Sequence, residues 1–177
     1  MNVIDVDDVS KAYGDVQALD GLSLSVERGA TLGVFGTNGA GKTTLFKLLV
    51  GLNRPDEGSV SVAGADPTDG TAVRERVRYL PEHAGFPPSL TGREVLRFHA
   101  RMRSVPREDR AHHVERILHT VGLADAADRR VGGYSNGMNR RLGLGTALVG
   151  EPAVLILDEP TAGLDPDGIR AFHEVVE

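Results

Sequence analysis

Gly36-Thr37-Asn38-Gly39-Ala40-Gly41-Lys42-Thr43 is the stretch on which the reading of this chain turns. It fits the pattern GxxxxGK(S/T), in which glycines let backbone N–H groups turn inward around phosphate oxygens. The helix that follows adds the positive end of its dipole. Lys42 is placed to neutralise phosphate charge and the Thr43 hydroxyl to ligate Mg²⁺, with Thr44 counted beside it among the phosphate contacts. The flanks suit the motif. Thr31 to Phe35 reads as a short apolar strand, and Lys42 to Val50 carries leucines at helical spacing. An ordinary glycine-capped helix would share the turn, but the strand, loop and helix context makes a chance match rare.

A second stretch gives the first its partner. Val154-Leu155-Ile156-Leu157-Asp158-Glu159 is a buried-type strand ending in two carboxylates. Alone it would read as a strand end with solvated acids. Beside a phosphate loop, Mg²⁺ needs a carboxylate at the tip of a neighbouring strand, which makes Asp158 the metal-side residue. Glu159 is then placed to polarise an attacking water as general base. Together the two stretches predict an α/β phosphate-loop NTPase.

Between and around them the pattern alternates. Val3 to Val9 and Leu22 to Val26 alternate apolar and polar residues, with turn chemistry at Gly14-Asp15 and Glu27-Arg28-Gly29, and predict antiparallel strands. A loop with Pro55 and Gly58 precedes short strands around Val60 to Val62 and Val77 to Leu80. From Thr91 to about Leu148 the period becomes helical. Thr91 with Glu94 three residues on predicts a capping box, and Pro106 and Gly122 punctuate the helices. A last helix is expected from about Pro166 to the end. The predicted organisation is one nucleotide-binding domain: residues 1–83 and 149–177 form the ATP-binding core, a mainly parallel sheet with an N-terminal antiparallel β subdomain, and about 84–148 form a helical insertion.

Composition narrows the class of work. The longest uninterrupted apolar run, Ala153 to Leu157, is far below the roughly 20 residues that span a bilayer. No charged-then-apolar leader opens the sequence, so a soluble chain is expected, with membrane work falling to a partner. A net charge of −5 argues against broad binding to nucleic-acid phosphates. There is no cysteine, hence neither disulfide nor thiolate metal site, which fits a reducing cytoplasm. The six histidines form no recognisable ligand set and are expected mostly at the surface.

Further residues carry a family resemblance. Tyr134-Ser135-Asn136-Gly137-Met138, followed by Asn139-Arg140-Arg141-Leu142, resembles the signature motif of ABC ATPases. Leu157-Asp158-Glu159-Pro160-Thr161 and Ala162-Gly163-Leu164-Asp165 resemble that family's acidic motif and D-loop, and Tyr13 in Lys11-Ala12-Tyr13-Gly14 its aromatic A-loop. The resemblance covers essentially the entire chain. It implies an ATP-binding and ATP-hydrolysing subunit of a membrane transporter, peripheral on the cytoplasmic face of the membrane and coupled to a membrane-embedded permease subunit. Tyr13 would stack on adenine. Ser135, Asn136 and Gly137 would meet the phosphate of ATP held by a second ATP-binding subunit in a head-to-tail dimer, with Ser135 also placed to cap a helix.

The sequence departs from the family pattern at three points. Asn136 replaces the first of two signature glycines, and Asn tolerates unusual backbone angles. Glu82 in Tyr79-Leu80-Pro81-Glu82 replaces the Q-loop glutamine; its carboxylate could meet Mg²⁺ but adds negative charge near the γ-phosphate. The family's switch histidine is expected beyond the D-loop, and His173 lies too close to Asp165 to serve. The resemblance therefore implies a chain that stops short of the whole domain and binds ATP better than it hydrolyses it. The wording from Glu82 through Phe86 to Leu90-Thr91-Gly92-Arg93-Glu94 is similar to ATPase subunits of the copper-linked system that matures nitrous-oxide reductase. Two alternatives stay open: an ATP switch that does not turn over, and a soluble ABC protein acting on nucleic acid or ribosomes.

Overall fold

The computed structural model describes residues 1–69, 71–162, 164 and 166–176. The chain divides into two compact units, Met1–Tyr79 and Leu80–Glu177.

The first unit is built on a hairpin. β1 (Asn2–Tyr13) and β2 (Val16–Glu27) pair antiparallel, Tyr13 opposite Val16 across the Gly14-Asp15 turn, and β3 (Glu57–Val62) pairs antiparallel with β1 on its other edge. Both hairpin strands run well beyond the alternating segments predicted for them. The sequence pattern fails at Asp7-Asp8 and Asp20-Gly21, where the ladder changes register rather than ending. Asp8 and Gly21 take left-handed backbone there. Hydroxyls satisfy the donors left over by the irregularity: Ser23 Oγ accepts from Asp8 N–H and Ser10 Oγ from Gly21 N–H. α1 (Lys42–Leu49) packs Leu45, Leu48 and Leu49 into a core that includes Val9 and Val62. A short helix α2 (Thr71–Arg76), which no periodicity announced, leads into β4 (Val77–Leu80).

One prediction fails here. Thr31 to Phe35 is not a strand, and residues 31–37 have no regular structure. A strand exists only by its ladder, and no described strand pairs with this segment. Apolar runs indicate β propensity but do not supply the neighbour.

The second unit is mainly helical. α3 (Gly92–Met102), α4 (Arg110–Thr120) and α5 (Asn136–Leu148) enclose Val95, Leu96, Val114, Leu118, Leu142 and Leu144. The capping box at Thr91 forms in both directions. Thr91 Oγ1 accepts from Glu94 N–H at 3.2 Å, and the Glu94 carboxylate accepts from Thr91 N–H at 2.8 Å. α3 is tied to its surroundings by Arg93, which forms ion pairs with Glu115 and, at 2.7 Å, with Asp128. β5 (Val154–Leu157) follows α5, and the next residue, Asp158, donates its N–H to the Leu80 carbonyl at 2.9 Å. α6 (Pro166–Val176) closes the unit. Four histidines are exposed and His99 is half-buried, while His113 is buried between the Gly150 N–H and Arg116. Among the described residues no helix is long and apolar enough to cross a membrane. The architecture is the α/β fold expected: an antiparallel β subdomain, helices inserted between sheet strands, and a strand-to-loop junction after β5 that carries Asp158 and Glu159.

Candidate nucleotide site

The phosphate loop belongs to the first unit. Gly36 to Ala40 is exposed, and the loop enters α1 through Gly41, whose φ of 88° is left-handed. A Cβ there would overlap the Ala18 carbonyl oxygen and lie 2.9 Å from Leu19 Cδ2, so the loop's end is pressed against β2 and only glycine fits. No side chain caps the N-terminus of α1. Lys42 folds back over the loop, its Nζ donating to the Gly36 carbonyl at 2.7 Å and to that of Thr37 at 3.2 Å. The cation thus lies against the carbonyls at the start of a glycine-rich loop that leads into a helix N-terminus. This arrangement suits a polyphosphate. Thr43 is exposed on the first turn, with Thr44 beside it half-buried.

Tyr13 lies at the end of β1 with its ring 47% exposed. Asn53 donates to its hydroxyl, and the Lys11 ammonium stands 5.7 Å from the ring centre while pairing with Asp56 at 2.6 Å. Asn53 thus holds the hydroxyl, and Lys11 stands over one face of a partly exposed ring. Lys11 holds the Asp56 carboxyl below the usual carboxylate range, chiefly through their hydrogen bond.

The acidic turn belongs to the second unit. Asp158 is 3% exposed, whereas Glu159 is exposed and adopts a left-handed φ of 46°. Such a conformation is costly for a residue with a Cβ. The turn therefore sends two adjacent carboxylates into different surroundings. Glu82 is exposed, with the His83 ring 3.8 Å from its carboxylate. Ser135 caps α5, its Oγ accepting from Met138 N–H at 3.2 Å. Asn136 is the first residue of that helix and has no left-handed φ, so its side chain alone distinguishes it from glycine. Gly137 has room for a Cβ, the nearest neighbour being Leu164 Cδ2 at 3.6 Å. Gly163 and Asp165 of the expected D-loop lie outside the described residues.

Sequence reasoning missed Arg140. This buried side chain donates from Nε to Pro160 O at 3.0 Å, and from one terminal nitrogen to Pro81 O and Glu82 O, each at 2.8 Å. Its other terminal nitrogen donates to Asp158 O at 2.5 Å and Glu159 O at 2.6 Å. Burial lowers its pKa, opposed by the carboxylates of Asp158, Glu82 and Glu159. The signal was present in the helical period: Arg140 lies one turn before the buried Leu144, so it faces inward.

A glycine-rich phosphate cradle with its lysine, and a strand tip bearing paired carboxylates, define the class of phosphate-loop nucleotide-binding proteins. Residues 19–162 match the ABC transporter family. The chain belongs to that family and is an ABC transporter ATP-binding domain. It is 46% identical over 166 residues to the daunorubicin resistance ATP-binding protein DrrA3 of Streptomyces coeruleorubidus, covering 93% of this chain and 52% of that protein. It is 43% identical over 172 residues to the Nod factor export ATP-binding protein I of Burkholderia thailandensis, covering 97% and 57%. A solved structure of an ATP-binding subunit of an ABC transporter superposes with a TM-score of 0.87 at 30% identity, covering 98% of this chain and 72% of that one. The chain spans about half the length of the curated relatives it matches.

Proposed function

We propose that the protein hydrolyses ATP to drive a membrane exporter, with residues 1–83 and 149–177 as the ATP-binding core and 84–148 as the helical part that meets the membrane-embedded permease on its cytoplasmic side. The observation that carries the catalytic reading is the turn after β5, where Asp158 is buried and Glu159 is exposed through a left-handed backbone. Export is favoured because these two relatives are named for drug resistance and Nod factor export; neither name carries the copper-linked likeness.

In this reading the N–H groups of Gly36, Thr37, Asn38, Gly39, Ala40 and Gly41 cradle the phosphates, and Lys42 releases its loop carbonyls to meet the β- and γ-phosphates. Tyr13 stacks its exposed ring on adenine. Thr43, Asp158 and Glu82 are the residues that would hold Mg²⁺, which when bound supplies positive charge to the phosphate oxygens. Glu159 accepts a proton from the attacking water. Ser135, Asn136 and Gly137 face the nucleotide of a second subunit in a head-to-tail dimer.

The test is phosphate release by the full-length protein with its permease, beside Lys42→Met. Turnover in the wild type and a loss of roughly 10²-fold or more in the variant support the reading. A wild type that binds ATP and releases no phosphate replaces it with a non-hydrolysing switch, the alternative that Glu82 and Asn136 favour.

A further inference from the structure

We propose that Arg140 is a positioning residue for hydrolysis: its guanidinium fixes the backbone of the acidic turn and of the Pro81-Glu82 corner, and through them the aim of the Glu159 carboxylate. The inference rests on the reading of Glu159 as general base.

Three observations carry it. A guanidinium has five N–H donors in a rigid plane, and Arg140 makes a hydrogen bond to each of five backbone carbonyls, on Pro81, Glu82, Asp158, Glu159 and Pro160. All five are on residues read as acidic-site residues or on their immediate neighbours, in two loops remote in sequence from Arg140. Second, the residue at the centre of this grip is Glu159, whose left-handed φ of 46° persists only where its surroundings over-determine it. Carbonyls on both sides of that strained residue are held by the same planar group. Third, burying a cation inside a helical unit is costly, and apolar residues of similar volume often give equal or better stability. Arg141, the next residue, shows the contrast. It donates to the Gly122 carbonyl at 2.9 Å, which lies on neither loop.

Lysine could not replace this grip, because its ammonium presents three donors from one point and cannot span carbonyls on two loops. Arg140→Lys and Arg140→Gln in the full-length protein with its permease therefore separate positioning from stability. Expected for Arg140→Lys is a fall in kcat of about 100-fold, the scale of a 1 Å misplacement, with ATP affinity within about twofold of wild type. Arg140→Gln should fall further. Amide hydrogen exchange should rise at 81–83 and 158–162 while α3 and α4 stay protected. In a Glu159→Gln background, Arg140→Lys should change the residual single-turnover rate by less than about twofold, since the group it aims is already gone.

Equal losses in both backgrounds would overturn the inference, as would an unchanged kcat. Protection lost throughout α5, or variants that fail to fold, would make Arg140 a stability residue and overturn it as well. Wild-type turnover with an insensitive Arg140→Lys sinks this inference alone. A wild type without turnover removes the catalytic reading, and the inference with it.

Discussion

At the scale of single residues, two glycines of the phosphate loop make different demands on the same backbone region. Gly39 and Gly41 both have left-handed φ, 86° and 88°, but a Cβ on Gly39 meets open space and one on Gly41 meets β2. Gly39→Ala is expected to cost only the conformational strain, about 1 kcal/mol, and Gly41→Ala about 2 kcal/mol or more, because the overlap with Ala18 adds to the strain. Urea unfolding of the two variants checks the order, and Gly41→Ala should also weaken ATP binding as the loop lifts from the strand. The motif was legible in the sequence because glycine and lysine are written there residue by residue. Two features were not. The left-handed backbone of Glu159 belongs to a residue type that rarely adopts it, and the inward aim of Arg140 follows from helix phase and from loops 20 and 59 residues away. An Arg-Arg pair alone gives no direction; helix phase marks Arg140 as the buried one and Arg141 as half-buried, but not the carbonyls that Arg140 meets.

Secondary-structure elements were legible wherever local chemistry decides them. The Thr91 capping box satisfies donors at the start of α3 with groups three residues apart, so its sequence signature and its geometry are the same fact. Thr91→Ala should lower stability by about 1 kcal/mol in urea unfolding with the slope unchanged, the usual cost of losing such a cap. Ser135 at α5 is a cap of the same kind, but the proposed contact with a second subunit gives it another role. Elements that depend on a distant partner were legible only in part. β1 and β2 continue through Asp8 and Gly21 because Ser23 and Ser10 supply acceptors across the hairpin, a compensation visible only once the strands are paired. Thr31 to Phe35 has the composition of a strand and, among the described residues, no ladder to join.

For the whole molecule, charge placement predicts the direction in which pH acts. Burial lowers the pKa of His113, helped by Arg116 and His112 and opposed by Glu151 and Asp109; burial, then Arg103, lowers that of His99. The unfolded chain therefore takes up protons first as pH falls, near the ordinary histidine value of about 6.5, and stability declines from there toward the folded-state values. The carboxyls of Asp56, Asp66, Asp128 and Glu151 are held low chiefly by hydrogen bonds, from Lys11, Thr68, Arg93 and Arg116 respectively. What they contribute is present above their unfolded values and is lost as pH drops below about 4. The urea midpoint should thus hold between pH 7 and 8, begin to fall below about 6.5, and fall again in acid. His113→Gln should flatten the first decline and leave the second; a first decline of equal size in the variant would exclude His113 as its source.

The proposed role of Glu159 as the base of an ATPase is decided by single-turnover phosphate release by the full-length protein with its permease, wild type beside Glu159→Gln. A fall of about 10²- to 10⁴-fold with ATP binding retained is the predicted result, the span that general-base catalysis provides. Turnover in Glu159→Gln close to that of the wild type would contradict it and assign the exposed carboxylate after β5 no part in the chemistry.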